Sequence, residues 1–222
     1  MICDVISTGS QGNAVVLNRE ILIDCGVPYK QLKPYVNDLH LVLLTHTHSD
    51  HFNETTIRRL HRERPSLRFG CCEWMVGRLT AADVSPRMID IYCATSPTAF
   101  NEYERGRVIV LAFPLFHDVE NCGYKILIGE ETALYATDTA TMDGISAPGF
   151  DLYLIEANHT EQEIAERIRR KTGTGEFIYE YRAAAGHLSR EKADAWLALN
   201  AGPKSKVIYL HQHKEPTPKG EN

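Results

Sequence analysis

The sequence of 222 residues predicts an α/β fold of four layers, in which two β-sheets pack together and helices cover their outer faces. Two observations lead to this prediction. Short β-rich segments outnumber helical ones, and they come in two batches along the chain. Each batch is followed by segments of helical periodicity. Since no repeat, low-complexity block or linker marks a boundary, we expect a single domain over residues 1–222.

The first batch of predicted strands lies in the N-terminal third of the chain. Its apolar segments are separated by turn-forming residues and comprise residues 5–6, 14–17, 21–23, 41–44 and 67–70. Residues 41–44 are apolar throughout, which predicts a strand buried on both faces. Asn53 is suited to capping a helix over residues 55–62, and a short helix is predicted over residues 73–79.

The second batch of predicted strands comprises residues 107–113, 123–128, 132–136, 151–155 and 206–210. Residues 129–131 are predicted to form a hairpin turn between two of these strands. Apolar residues at helical spacing predict helices over residues 161–171 and 189–199. The proline- and glycine-containing tail is expected to be frayed from about residue 214.

Composition narrows the class of protein. No window approaches the ~18 apolar residues that a membrane span needs, and the first residues lack the features of a secretion signal. We therefore expect a cytoplasmic protein without a membrane partner. Its six cysteines contain no CxxC pair, so we expect them to be reduced and mostly buried. The net charge of −5 argues against a protein coated in basic residues, although it permits a local basic patch.

The segment that follows the predicted strand at 41–44 is rich in potential metal ligands. It places His46, His48, Asp50 and His51 within six positions. Side chains two residues apart in an open turn can converge, so His46 and His48 can bind one divalent ion, and Asp50 and His51 a second. Such ligands suit zinc, manganese or iron. Two ions about 3.5–4 Å apart can share a hydroxide that forms near neutral pH.

Further candidate ligands follow later strands. His117, Asp138 and His211 each come just after an apolar predicted strand. Taken singly, each could equally be a capping or hydrogen-bonded residue. The repeated placement at strand ends predicts that they complete a two-metal site.

These residues, in this order and context, resemble the metallo-β-lactamase superfamily over nearly the whole chain. The resemblance implies an αββα sandwich with two divalent ions, zinc or manganese, at one edge of the two sheets. It assigns His46, His48 and His117 to the first ion and Asp50, His51 and His211 to the second. It also implies that Asp138 bridges the ions and that Asp24 supports the histidine loop without binding metal.

Two downstream stretches resemble the phosphodiesterase branch of that superfamily, and in particular its YycJ-like (WalJ) exonucleases. One runs from Leu154 to His159 and contains Glu156, and the other is Gly186-His187-Leu188-Ser189. The early motif Ser7-Thr8-Gly9-Ser10-Gln11-Gly12-Asn13 is similar as well. The resemblance implies a metal-dependent phosphodiesterase, most of all a DNA nuclease.

Phosphodiester hydrolysis needs a nucleophile, neutralisation of phosphoryl charge and a proton for the leaving oxygen. A metal-bridging hydroxide is the expected nucleophile, and Asp50 is a candidate catalytic residue as well as a candidate ligand. His187 is the candidate acid, with Glu156 fixing its tautomer and orientation. His159 and Ser189 are candidates for substrate contact.

Several alternatives remain open in the sequence. His213 could replace His211 as the last ligand, because the family usually continues its final strand with His-Leu-Ser, whereas this chain reads His-Gln-His. Basic runs at 58–68 and 167–171 could meet nucleic acid or could be solvated helix faces. Tyr179 and Tyr181 could stack on bases or alternate along a strand. The chain could also hydrolyse a small ester, thioester or cyclic nucleotide, or bind metal without catalysis.

Overall fold

Two six-stranded β-sheets form the centre of the computed structural model, which describes residues 1–92, 100–103, 106–172 and 179–212. In spatial order, the first sheet contains β1 (Cys3–Ser7), β2 (Ala14–Leu17), β3 (Ile21–Ile23), β4 (Leu41–Leu43), β5 (Arg68–Cys72) and β6 (Ile89–Tyr92). The second contains β7 (Phe100–Tyr103), β8 (Gly106–Leu115), β9 (Asn121–Ile128), β10 (Glu131–Ala136), β11 (Leu152–Glu156) and β12 (Lys206–Leu210).

Strand direction brings many loops to one edge of each sheet. β3, β4, β5 and β6 are parallel to one another, as are β10, β11 and β12. β8 and β10 are both antiparallel to β9, so β8 runs in the same direction as β10. The carboxyl ends of β8, β10, β11 and β12 therefore share an edge, and polar side chains after them can meet.

Six helices cover the sheets within the described part of the chain: α1 (Tyr29–Leu32), α2 (Glu54–Glu63), α3 (Glu73–Ala81), α4 (Glu161–Lys171), α5 (Glu180–Gly186) and α6 (Arg190–Asn200). Side chains cap three of them. Asn53 Oδ1 accepts the N–H of Thr56 at the start of α2, as predicted. Thr160 and Glu163 form a reciprocal capping box at α4. None of these helices is long and apolar enough to cross a membrane.

The apolar residues form three clusters that separate four layers. The layer between the sheets contains side chains of both, among them Val15, Ile23, Leu43, Val110, Tyr135 and Leu154. The outer face of the first sheet packs against α2 and α3. The outer face of the second sheet packs against α6, through residues such as Leu197. The predicted four-layer αββα fold is confirmed.

The predicted strands and helices are found with ends shifted by a few residues, but five elements within the described residues were not predicted. These are α1, β6, β7, α5 and a 3₁₀ helix at Pro86–Met88. Residues 179–181, which alternate as in a strand, instead lead into α5, where three consecutive alanines favour a helix. Cys25, Cys71, Cys72 and Cys122 are buried free thiols. His213 and the tail expected to fray from about 214 lie outside the described residues.

Candidate metal centre

The polar side chains predicted to bind metal gather where strands of both sheets end. The loop from His46 to His51 follows β4, and His117 follows β8. Asp138 and His211 follow β10 and β12, while Glu156 is the last residue of β11. Because these strand ends share one edge, residues as far apart in sequence as His51 and Asp138 come within hydrogen-bonding distance.

His46, His48 and His117 form one group of potential ligands. One nitrogen from each lies within 4.8 Å of the others, and His48 Nδ1 is 3.4 Å from His117 Nε2. His46 Nε2 is buried without a hydrogen-bond partner among the described residues. Burial lowers the pKa of His46 to about 2 and also lowers that of His117. Both imidazoles are therefore neutral, as metal ligands must be.

His46, His51 and Asp138 form a second group of potential ligands. His51 is fully buried, with Nδ1 2.7 Å from Asp24 Oδ2 and Nε2 2.7 Å from Asp138 Oδ2. Burial alone would lower the pKa of His51, but the carboxylates of Asp138 and Asp24 outweigh it and raise the pKa well above 6.5. A positive charge is thus favoured between Asp138 and His51, whether it is carried by a proton or by a cation.

Asp138, Glu156, His187 and His211 form a third group. His211 Nδ1 lies 2.9 Å from Asp138 Oδ1 and 3.0 Å from Glu156 Oε1. His187 Nδ1 lies 2.7 Å from the same Glu156 oxygen. Burial opposes the charged form of both histidines, but these carboxylates outweigh it, so they raise the pKa of His187 and bring that of His211 to about 10.

Glu156 is held in place by the backbone around it. Its carboxylate is fully buried, and Oε2 accepts the backbone N–H groups of Thr139 at 2.9 Å and Leu188 at 3.2 Å. Residues 187–190 run beside residues 156–159, because Asn158 N–H donates to Leu188 and Arg190 N–H donates to His159. This pairing fixes His187 against Glu156 at the C-terminal end of α5.

Asp24, which was expected to support the histidine loop, hydrogen-bonds to Thr45 and to His51. Its left-handed backbone, with φ of +59°, suits aspartate in a turn. The carboxylate accepts the backbone N–H and hydroxyl of Thr45, the hydroxyl of Tyr135 and the Nδ1–H of His51. Four hydrogen bonds to one buried carboxylate fix the orientation of the His51 ring.

Asp50 belongs to none of these three groups of potential ligands. Its Oδ2 is 3.8 Å from His51 Nε2, and its backbone oxygen accepts the N–H of Asn13 at 2.6 Å. Asn13 Nδ2 also lies 2.7 Å from His51 Nε2. Gly26 packs so closely here that a Cβ would lie 1.7 Å from the Asp50 oxygen. The backbone of Asp50 is thus clamped, while its carboxylate faces the cleft.

A cleft of about 1360 Å³ opens over these groups. Among its lining residues are His48, Asp50, His117, Asp138, His187 and His211, and the substrate candidate His159. Ser189, the other substrate candidate, is buried and is not among the described residues that line the cleft. Its hydroxyl accepts the N–H of Lys192 and so caps α6.

Three arginines of the basic run at 58–68 form ion pairs within the protein. These join Arg58 to Glu54 and Asp83, Arg59 to Glu63, and Arg68 to Asp90. The alternative of solvated helix faces is therefore the better description of this run. In the second run, Arg167 lines the cleft.

Sequence reasoning assigned no role to three further residues of the cleft. Asp118 Oδ1 lies 3.1 Å from His117 Nε2 and 3.4 Å from His48 Nε2, and Asp118 Oδ2 is 3.3 Å from Arg182. Phe116 exposes its ring beside them. The only sequence signal was that Phe116 and Asp118 flank His117.

The donor set fits divalent ions. It combines the neutral imidazoles of His46 and His117 with the ionised carboxylate of Asp138, which is the chemistry that zinc and manganese accept. Burial would raise the pKa of Asp138, but His51 and His211 outweigh it and hold the pKa well below its usual value. The unpartnered, buried His46 Nε2 is the clearest single indication of a missing partner of positive charge.

Comparisons with known proteins agree with this geometry. A family model described as a beta-lactamase superfamily domain matches residues 19–212. Exodeoxyribonuclease WalJ of Streptococcus pneumoniae serotype 2 (strain D39) is 24% identical over 230 residues, which cover 95% of this chain and 81% of that protein. The predicted resemblance is confirmed.

Solved structures share the fold at low sequence identity. The metallo-beta-lactamase fold protein YhfI from Bacillus subtilis has a TM-score of 0.68 at 17% identity, covering 95% of this chain and 85% of that one. The short form of human tRNase Z has a TM-score of 0.64 at 16% identity, covering 96% and 92%. These likenesses establish the arrangement of the two sheets and their helices.

Proposed function

Because this chain belongs to the beta-lactamase superfamily, whose family model matches residues 19–212, we propose that it is a metal-dependent phosphodiesterase that cleaves DNA. The observation that carries the proposal is the Glu156–His187 pair, with 2.7 Å between Oε1 and Nδ1, at the rim of the histidine cluster. A histidine oriented by a carboxylate can protonate an alkoxide leaving group. Cleavage of a phosphodiester bond in DNA expels such an alkoxide.

Two divalent ions, zinc or manganese, would supply a nucleophile near neutral pH and neutralise charge on the phosphoryl oxygens when bound. We assign His46, His48 and His117 to the first ion. We assign Asp50, His51 and His211 to the second, with Asp138 between the two. The proximity of the first three nitrogens and the unpartnered His46 Nε2 support the assignment to the first ion.

His187 holds the proton that the leaving oxygen takes. Glu156 accepts from Nδ1, so the second ring nitrogen, Nε2, is the one that donates to substrate. Glu156 is fixed in turn by two backbone N–H groups, which keep the ring from rotating away. The remaining solvent exposure of the His187 side chain, 14%, allows the contact with a substrate in the cleft.

The substrate is a nucleic acid, and DNA is preferred over RNA. The name of the Streptococcus pneumoniae relative is that of an exodeoxyribonuclease, and that relative is matched along 95% of this chain. The tRNase Z neighbour, which shares the fold, has a name that points to RNA, so RNA belongs in any test. Exonuclease-like cleavage from an end is part of the proposal.

The proposal is tested with a panel of substrates and metal-loaded protein. The panel contains labelled linear DNA, RNA of the same sequence, bis-p-nitrophenyl phosphate, and a small carboxylic ester and thioester. The control is His48→Ala, which removes one proposed ligand from a partly exposed position. Cleavage of DNA ahead of RNA, with loss in the control, is the expected result.

Two results would overturn the proposal. One is hydrolysis of the ester or thioester while every phosphodiester stays intact, which would make the chain a small-molecule hydrolase. The other is equal activity of wild type and His48→Ala on DNA, which would trace the cleavage to a contaminant.

A further inference from the structure

Phe116 is an exposed aromatic residue next to a proposed metal ligand. Its side chain is 60% exposed and lines the cleft, directly before His117. The backbone on both sides is fixed, because Phe116 N–H donates to Thr139 Oγ1 and Ala140 N–H donates to the Phe116 carbonyl. The loop therefore holds the ring toward solvent, where folding alone gains nothing from it.

A second aromatic residue and a cation lie at the start of α5. Tyr179 is 52% exposed and lines the same cleft, as does Arg182. Arg182 reaches across to the loop that carries Phe116, with 3.3 Å between its guanidinium and Asp118 Oδ2. This contact brings the helix and the loop within side-chain reach of each other. Both aromatic residues thus belong to the mouth of one cleft, beside the histidine cluster.

Single exposed apolar side chains are common on protein surfaces. Here two aromatic rings and two arginines, Arg167 and Arg182, line one cleft next to the metal centre. Aromatic rings that stack on bases, combined with cations that follow phosphates, are the recurring features of sites for single-stranded nucleic acid. Duplex DNA covers the faces of its stacked bases, so rings of this kind reach those faces most readily on unpaired nucleotides.

We propose that Phe116 and Tyr179 form a stacking surface for unpaired bases, and that Arg182 contacts the phosphate between them. The inference rests on the proposed function and deepens it: the substrate class is a single-stranded nucleic-acid end. The cleft of about 1360 Å³ is larger than the ~300–1,000 Å³ typical of small-molecule sites, which agrees with more than one nucleotide inside it.

The helix provides a matched control. Tyr181 is 57% exposed and lies two residues from Tyr179, but it is not among the described residues that line the cleft. The two tyrosines are equivalent in type and in exposure. They differ in that Tyr179 lines the cleft and Tyr181 does not. Replacing each tyrosine in turn therefore distinguishes the loss of a stacking contact from the loss of any exposed tyrosine.

The test measures binding by fluorescence anisotropy with metal-loaded protein. One probe is a fluorescein-labelled, single-stranded oligothymidine with phosphorothioate linkages, and the other has the same backbone without bases. Phe116→Ala and Tyr179→Ala are each expected to raise the Kd for the base-bearing probe about tenfold. Neither should change binding of the abasic probe. Tyr181→Ala should match wild type, and Phe116→Trp should restore binding.

The inference is overturned if Phe116→Ala and Tyr179→Ala bind the base-bearing probe as wild type does, or if they weaken both probes equally. Failure of wild type to bind either probe also overturns it. The proposed function is judged separately, by cleavage of labelled DNA. If Phe116→Ala and Tyr179→Ala cut DNA as well as wild type does, the proposed function stands and the stacking surface is excluded. If the proteins bind the probes in the expected pattern but wild type does not cut DNA, the stacking surface stands and the proposed function is excluded.

Discussion

Glu156 Oε1 lies 2.7 Å from His187 Nδ1, in a contact between the last residue of β11 and the end of α5. The Glu156 carboxylate is fully buried, and burial alone would raise its pKa. Hydrogen bonds from the imidazoles of His187 and His211 favour the ionised form and outweigh burial, so the pKa of Glu156 is lowered. Because an ionised carboxylate only accepts hydrogen bonds, Nδ1 of His187 carries a proton. The relationship fixes which ring nitrogen faces the cleft.

Replacing His187 by alanine should separate substrates by their leaving groups. Cleavage of DNA expels an alkoxide that needs a proton, and we expect kcat to fall about 10²–10⁴-fold. Bis-p-nitrophenyl phosphate expels a phenolate that leaves unprotonated, so its hydrolysis should fall far less. Steady-state kinetics on the two substrates, with metal content measured in parallel, check this. Equal losses on both substrates would exclude His187 as the acid.

Replacing Asp24 by asparagine should weaken metal binding without breaking the turn. Asparagine tolerates the left-handed backbone but cannot accept all four hydrogen bonds as a carboxylate does. We expect metal affinity to fall about 10–100-fold, because the ring of His51 loses its fixed orientation. Competition with a chromogenic chelator measures it. The control is Asp83→Asn, which has φ of +62° at an exposed position; an equal effect there would contradict the account.

Replacing Gly26 by alanine should damage the metal loop by steric overlap. The added Cβ would lie 1.7 Å from the Asp50 carbonyl oxygen, so the loop must move. We expect the free energy of unfolding to fall by about 3 kcal/mol or more. Gly77→Ala in α3 is the matched control, since its Cβ meets nothing within 4 Å and should stabilise the protein by about 0.5–1 kcal/mol. Urea unfolding of both variants decides; similar values would contradict the predicted clash.

Acid should remove the contribution of the α4 capping box. Hydrogen bonds from the Thr160 backbone and side chain lower the pKa of Glu163 in the folded protein. A lowered folded pKa means that the charge stabilises the fold above the unfolded value of about 4.3, and that this stabilisation is lost as pH falls through the folded pKa. Glu163→Gln should therefore be less stable than wild type at neutral pH and equal to it in acid. Urea unfolding at both pH values checks it; a constant difference would contradict it.

The fold and most of the site could be predicted because they depend on local sequence. Apolar segments such as residues 41–44 identify buried strands, and a polar residue just past a strand end is placed by the sheet itself. This reasoning singled out His46, His117, Asp138 and His211, which the structure brings together in groups of potential ligands. In the loop from His46 to His51, four potential ligands lie within six positions, and this close spacing is typical of metal sites.

The remaining features of the fold and the site depend on contacts between distant residues, which a local sequence pattern does not predict. The sequence at 179–181 alternates like a strand, yet the helix propensity of the following alanines prevails and produces α5. Ser189 resembled a substrate contact, but it caps α6 because the adjacent backbone enters a helix there. Asp118 and Arg182 are 64 positions apart, and only the packing of α5 against the cleft brings them together.

The central claim is that this cluster of histidines and carboxylates cleaves phosphodiesters with bound metal. The most direct measurement strips the protein with a chelator, adds manganese or zinc back stepwise, and follows cleavage of labelled linear DNA. Stripped protein should not cleave the DNA, and cleavage should recover and level off near two ions per chain, whereas His46→Ala should fail to recover. Cleavage that persists in stripped protein, or that His46→Ala recovers as fully as wild type, would contradict the central claim.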